Sequence, residues 1–235
     1  MSNAPDLVQR MAAVLVTPGV RAAAPPGVDP VEFGLALVED SCDLVAELEL
    51  VAPAIAVSHD AEQELGGRAM DEFAWPGTAM LRLRPADGTG PGLVGQTLRE
   101  LAALGAQQAV VLAADAPDLP VLLIGKLLRA LGSAARRADV AVCPAEGGGL
   151  VALAAWLPPA DWVLGIGAGG PPGDPQVELD RLDVIGQLRG AAPRRGAVAV
   201  VPGWHRLRSP ADVARLDPGL EGWPATRGVL RSPAP

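Results

Sequence analysis

The sequence of 235 residues predicts a layered α/β domain whose sheet is mostly parallel with an antiparallel strand. Three observations carry that expectation. Short aliphatic runs alternate with stretches of helical periodicity. The run Ala109-Val110-Val111-Leu112-Ala113 is apolar at every position, as in a strand covered on both faces. The turn from Cys143 to Leu150 is short enough to join an antiparallel pair and too short for a parallel crossover.

In order along the chain, Ala12 to Thr17 reads as a buried strand closed by Pro18-Gly19, with a small, Pro-rich loop running to Gly27. A helix starts at Asp29-Pro30-Val31-Glu32. Asp29 can cap it, Pro30 suits its first position, and Glu32 can complete a capping box. Leu35, Val38, Cys42, Val45 and Leu48 then recur at helical spacing. Ala54 to Val57 is the second strand and Ala79 to Arg84 the third, with an illegible segment between them. Leu93, Thr97, Leu98, Leu101 and Leu104 mark a helix stopped at Gly105, ahead of the central strand at Ala109. A further helix covers Val121 to Ala135, and strands follow at Asp139 to Cys143, Leu150 to Trp156 and Ala197 to Val201. Gly165 to Pro175 is a Gly- and Pro-rich loop. Gly165, Gly167 and Gly170 fit a dinucleotide fingerprint, but Pro171-Pro172 stand where its helix should begin. After Leu216 the sequence loses apolar periodicity, so residues 217–235 are expected to be a poorly ordered tail on a domain of residues 1–216.

Composition narrows the function. Tyr is absent, and Lys126 is the only lysine among 19 Lys and Arg, so tyrosine chemistry is excluded. The net charge of -8 and a pI near 4.8 argue against a nucleic-acid partner, which needs a broad basic face, but allow one small phosphorylated ligand. Cys42 and Cys143 fit neither a disulfide framework nor a zinc pattern and read as core thiols. Met1 to Pro5 lacks the features of a signal peptide, and no apolar run is long enough to span a membrane. The expected location is cytoplasmic.

Ligands of open α/β sheets bind beyond the carboxyl ends of the strands, where Asp115-Ala116-Pro117-Asp118 follows the central strand. Two carboxylates so spaced can share a hard cation; alternatively Asp118 caps the next helix and Asp115 ends a strand. Gly147-Gly148-Gly149 either lets a nucleobase or ribose approach closely or makes a hairpin turn of positive φ. His205 lacks an identifiable nucleophile or orienting carboxylate. His59 stands beside Ser58 and Asp60, either of which can cap a helix. Trp156 and Trp162 read as packing residues.

Val110-Val111-Leu112-Ala113-Ala114-Asp115-Ala116-Pro117-Asp118-Leu119-Pro120 resembles the strand-and-loop signature of the rSAM/selenodomain-associated transferase 1 family. That glycosyltransferase-like family is a branch of the nucleotide-diphospho-sugar transferase (GT-A) superfamily, near 2-phospholactate guanylyltransferase. Asp139 to Gly149 resembles its second motif. Val200 to Trp204 with Ser209 to Leu216 resembles its closing strand and helix, and Val14 to Gly19 its first strand and Pro-Gly turn. The resemblance implies a three-layer α/β/α sandwich and a nucleotidyl- or glycosyltransferase that binds a nucleotide or nucleotide sugar and an undefined acceptor. The competing expectation is a catalytically inactive relative that binds a ligand or protein through the inherited cleft.

By the same resemblance, Asp115 and Asp118 are the catalytic carboxylates, and with Glu146 they hold a divalent cation, Mg or Mn. Pro18, Gly19, Arg21, Gly147, Gly148, Gly149, Arg206 and Arg208 form the nucleotide pocket. The motifs are partly degenerate. The family's phosphate-gripping Lys-Thr-Arg reads Val20-Arg21-Ala22-Ala23-Ala24, leaving Arg21 alone to serve. The aspartate of its second motif falls on Gly147, and the aromatic pair after the glycines on Leu150 and Val151. Its Asp-Val-Asp falls on Arg206-Leu207-Arg208. Carboxylates are thus lost at Gly147, Arg206 and Arg208, which weakens a metal site. Arg206 and Arg208 either grip a phosphate in place of the cation, pair with Asp115 or Asp118, or lie solvated beside Asp212.

Overall fold

The computed structural model describes residues 9–68, 70–84, 92–132, 137–164 and 177–232. In chain order the first elements are β1 (Arg10–Val16), α1 (Pro30–Ala46), β2 (Ala52–Ser58), α2 (His59–Glu64), β3 (Ala79–Leu83), α3 (Leu93–Ala103) and β4 (Gln108–Ala113). The rest are α4 (Val121–Leu131), β5 (Val140–Pro144), β6 (Leu150–Trp156), α5 (Asp161–Leu164), α6 (Val184–Ala191), β7 (Val198–Val200) and α7 (Pro224–Arg231). Residues 165–175, the expected Gly/Pro loop with its fingerprint glycines, lie outside the described residues.

The strands form one sheet in the order β3-β2-β1-β4-β6-β5-β7. β6 runs antiparallel to both β4 and β5, and every other pairing is parallel. The antiparallel strand is therefore internal. Alternation along β1 sends Ala12, Val14 and Val16 to one face, with Phe33, Leu37 and Val38 of α1 and Ile124 and Leu127 of α4. Met11, Ala13 and Leu15 point to the other, with Val94, Leu98 and Leu101 of α3 and Val184 and Leu188 of α6. Two cores on opposite faces of one sheet make the three-layer α/β/α sandwich, with the GT-A-like arrangement of a mostly parallel sheet interrupted by one antiparallel strand.

Local signals explain several boundaries. The Asp29 carboxylate accepts from the amides of Val31 and Glu32 and starts α1 ahead of Pro30. Ser58 caps α2 through the Ala61 amide, so the segment beside His59 is a capped helix, in which His59 contacts Gln63. Helix α4 ends at Leu131 on Gly132, short of the expected Ala135. The expectation of a poorly ordered tail is corrected. Helix α7 lies on α1, and the buried Asp40 of α1 accepts from the amides of Ala225 and Thr226 at 2.9 and 2.8 Å. A carboxylate on the first turn of a helix also meets its positive dipole end. Cys42 and Cys143 are free and buried, and Trp156 donates to the Leu131 carbonyl from within the packing, as expected. Among the described residues no helix is long and apolar enough to cross a membrane.

Candidate functional site

Strand order reverses between β1 and β4: the chain proceeds from β1 outward to β2 and β3, then returns to lay β4 on its other side. Such a switch point opens a crevice at the carboxyl ends of the two strands. Here a cavity of about 260 Å³ is lined by Thr17, Pro18, Gly19 and Val20 after β1, Asp115 after β4, and Asp180, Arg206 and Arg208.

The segment after β7 delivers the arginines. The Trp204 amide donates to the Pro144 carbonyl and the Glu146 amide to the Trp204 carbonyl, extending the sheet past β5. The Leu207 amide then donates to the Asp115 carbonyl at 2.8 Å, stitching the segment to the end of β4. Leu207 points into the core, which turns its neighbours Arg206 and Arg208 towards the cleft. Arg208 is held at its backbone by the Asp212 carboxylate, which accepts its amide and that of Ser209 in a capping box.

Arg206 is buried and meets Asp115 with two parallel contacts, Nε to Oδ1 at 2.6 Å and Nη2 to Oδ2 at 2.9 Å. This is the forked geometry of a charged pair. Its remaining nitrogen, Nη1, donates to the Leu150 carbonyl at 3.1 Å and meets Asp180 Oδ1 at 2.7 Å. Burial pushes the Asp115 carboxyl above the ordinary carboxylate range, with Arg206 pulling against it. Burial likewise opposes the Arg206 charge, but Asp115 and Asp180 outweigh it and hold the guanidinium above its usual value. Burial, then the neighbouring Arg206, pushes Arg208 down. Arg208 Nη1 donates to the Gly148 carbonyl at 2.8 Å, while Nε and Nη2 are buried without a hydrogen-bond acceptor.

Asp118 departs from its capping expectation: α4 has no side-chain cap. Its Oδ1 instead accepts from Trp204 Nε1 at 3.1 Å and lies 3.1 Å from His205 Nε2, and the His205 ring stacks on Trp204. The carboxylate beside His205 that sequence reasoning lacked is therefore Asp118. Asp118 does not line the cleft, and its Oδ2 is buried without a hydrogen-bond partner.

The nucleotide pocket expected from sequence is brought together in part. Pro18, Gly19, Arg206 and Arg208 line the cleft. Arg21 does not; it packs against α1, where a Cβ added to Gly34 would come within 3.1 Å of the Arg21 Cβ. Gly147, Gly148 and Gly149 all have positive φ, as a hairpin turn requires. The space beside two of them is already filled. A Cβ on Gly149 would overlap the Leu179 carbonyl, and one on Gly148 would press on Leu182 at 2.8 Å. The glycines thus admit the chain's own residues 179–182.

The carboxylates expected to share a divalent cation are not gathered. Asp115 has both oxygens on Arg206, Asp118 faces Trp204 and His205, and Glu146 pairs at 2.6 Å with Arg215. Among the described residues no group of three His, Cys, Asp or Glu side chains is placed to hold a metal ion. A cation at Asp115 would have to displace one guanidinium and lie near another, so this donor set does not fit Mg or Mn. Sequence reasoning missed Asp180, which stands in no motif and follows residues without periodicity.

No protein-family model and no curated protein sequence matches the chain. Solved structures do. A candidate nucleotide-diphospho-sugar transferase from Desulfovibrio desulfuricans superposes with a TM-score of 0.62 at 17% identity, covering 94% of this chain and 96% of that one. A 4-diphosphocytidyl-2C-methyl-D-erythritol synthase from Anaerococcus prevotii gives 0.58 at 13%, covering 97% and 98%. A cytidylyltransferase from Leptospira borgpetersenii gives 0.54 at 11%, covering 95% and 94%. These likenesses run over nearly the whole of each chain, and at these identities they establish the architecture: the protein has the nucleotide-diphospho-sugar transferase-like α/β fold.

Proposed function

We propose that the protein binds a nucleotide or nucleotide sugar through its phosphates, in the cleft between the ends of β1 and β4, as a nucleotidyl- or glycosyltransferase-like protein. One observation carries this reading: two arginines and the Pro18-Gly19 turn converge on a cavity at the switch point of the sheet. A guanidinium presents a planar fork that matches phosphate oxygens, and two of them supply charge neutralisation without proton exchange. The neighbours' names, a sugar-nucleotide transferase and cytidylyl-transferring enzymes, agree with that ligand class. The finer resemblance to the rSAM/selenodomain-associated transferase 1 family belongs to the same proposal.

In this reading Asp115 acts through Arg206. It neutralises and orients the guanidinium, whose Nη1 faces the cleft, and Arg208 offers its donors beside it. Stabilising developing charge on a transferring phosphate requires fixed, desolvated donors of this kind. A metal is not part of the proposal, because the carboxylates present are already committed to protein donors.

A second reading, that the protein binds without turning over, is favoured by the same commitment of Asp115 to an ion pair. Calorimetry with nucleoside triphosphates and nucleotide sugars, in EDTA and with Mg²⁺ or Mn²⁺, tests the proposal. Binding is expected in EDTA and is expected to be lost in Arg208→Ala. Absence of binding across the whole panel would overturn both readings; binding that strictly requires the metal would overturn the arginine assignment. Transfer of a radiolabelled nucleotidyl or sugar group to cell-extract acceptors separates the enzyme from the silent binder.

A further inference from the structure

We infer that Asp180 occupies the place of a ligand phosphate, so that the exposed residues Asp180 to Leu182 form an internal plug, anchored by the buried Leu179 before it, which an incoming phosphorylated ligand displaces. This rests on the phosphate reading of the cleft and adds how the site is kept closed and which anions open it.

Arg206 has two edges with different duties. The inner edge, Nε and Nη2, is locked on Asp115, whereas the outer Nη1 meets Asp180 at 2.7 Å. The inner pair can persist while the outer anion is exchanged. Arg208 Nη2 also approaches Asp180, at 3.5 Å, which is too long for a hydrogen bond and leaves Nε and Nη2 unsatisfied. A single carboxylate therefore spans both arginines poorly. A phosphate carries more negative charge and three terminal oxygens, enough to serve Arg206 Nη1 and the idle donors of Arg208 together.

The plug is lightly held. The Asp180 side chain is 58% exposed, so its ion pairs are screened by water and salt. Leu182 lies over Gly148 yet is 75% exposed. The chain just before it is firmly seated: Val177 and Leu179 are buried in the core, the Leu150 amide donates to the Leu179 carbonyl at 2.7 Å, and the Leu93 amide to Glu178 Oε1 at 2.8 Å. Gly149 is required because any side chain there would strike the Leu179 carbonyl. The glycine turn is thus shaped to receive the plug.

Charge balance gives the selectivity. With Asp180 in place, Arg206 and Arg208 face the carboxylates Asp115 and Asp180. Lifting Asp180 exposes a net positive cleft that favours phosphate and diphosphate groups over monocarboxylates.

The test compares the full chain with Asp180→Asn and Asp180→Glu, using inorganic pyrophosphate, the nucleoside triphosphates and acetate as probes at fixed salt. Asp180→Asn is expected to bind pyrophosphate about tenfold more tightly than the parent, one removed like charge beside the bound anion, while Asp180→Glu restores parental affinity and acetate gains nothing comparable. Without ligand, hydrogen exchange at the Val184 amide, which donates to the Arg181 carbonyl, is expected to quicken in Asp180→Asn as the plug loosens, while the Leu150 amide on the buried Leu179 keeps its parental rate. Equal or weaker pyrophosphate binding by Asp180→Asn, with the parent still binding nucleotides, would overturn the plug and leave the phosphate reading standing. Failure of parent and variants alike to bind any phosphorylated probe would overturn that reading and the plug with it. Unchanged exchange at Val184 would also overturn the plug, whatever the affinities.

Discussion

Replacing Arg206 by methionine keeps the length of the stem and removes the guanidinium, which leaves Asp115 buried with neither of its side-chain donors. Breaking one half of a buried ion pair costs about 3–5 kcal/mol, because the surviving charge has lost water and gained no partner. For a chain of this size that corresponds to a melting temperature lower by about 6–20 °C. The free Leu150 carbonyl adds to the loss. Burial already draws the Asp115 carboxyl upward, and without Arg206 only the weaker pull of Arg208 opposes it, so the variant should take up a proton at Asp115 as pH falls. Its deficit against the parent should then shrink under acid conditions and widen towards neutral pH. Urea unfolding of the parent, Arg206→Met, Asp115→Asn and the double variant across pH measures each term. The double variant, with no charge left to strand, should recover much of the loss. A deficit below about 1 kcal/mol in Arg206→Met, or losses that simply add in the double variant, would refute the argument that the pair is a desolvated, coupled unit.

Two further predictions concern the plug and its seat. Burial raises the Glu178 carboxyl from 4.5 to about 7, so its stabilising protonation is fully present below about pH 4.5 and lost as pH rises through about 7, at most about 3 kcal/mol in all. Glu178→Gln, which stays neutral and can still accept from Leu93, should gain stability over the parent from pH 6 to 8; parallel pH profiles would count against it. Gly147→Ala and Gly149→Ala share a positive φ, costing about 1–2 kcal/mol each, but only Gly149 also meets Leu179 and Arg208. Gly149→Ala should therefore unfold at lower urea, with an excess loss of about 1–3 kcal/mol, and the reverse order would contradict the packing described.

The sheet was legible where local composition and burial coincide. Ala109 to Ala113 reads as a doubly covered strand because both faces of β4 are buried, and the short link from Cys143 to Leu150 announces an antiparallel neighbour. Helix α7 was not legible. Among the described residues from 217 onward, the buried side chains are Trp223 and Thr226, and its anchor is Asp40, a carboxylate in the apolar stripe of a helix 185 residues away. Nothing local to residues 217–235 encodes that attachment. The site divides in the same way. Asp115 and the Pro18-Gly19 turn lie at strand ends, and Arg206 and Arg208 on the segment after β7 that the Asp115 carbonyl stitches to β4, whereas Arg21 and Glu146 fall just outside because a turn and a surface pair redirect them. Asp180 acts through tertiary position, for which the sequence carries no periodic or motif signal.

The place of β6 between β4 and β5 has a consequence for how the chain is made. The partner that closes the open side of β4 is not the next strand to leave the ribosome but the one after it, ending at Trp156. At about 5–20 residues per second, synthesis from Ala113 to Trp156 takes roughly 2–9 seconds. During that interval a strand that is buried at every residue in the finished protein has β1 on one side and bare amides and carbonyls on the other. Such an edge is a template for pairing with another nascent chain. Slowing translation after β4 should therefore lower soluble yield, and speeding it should raise it, with no change in the finished fold.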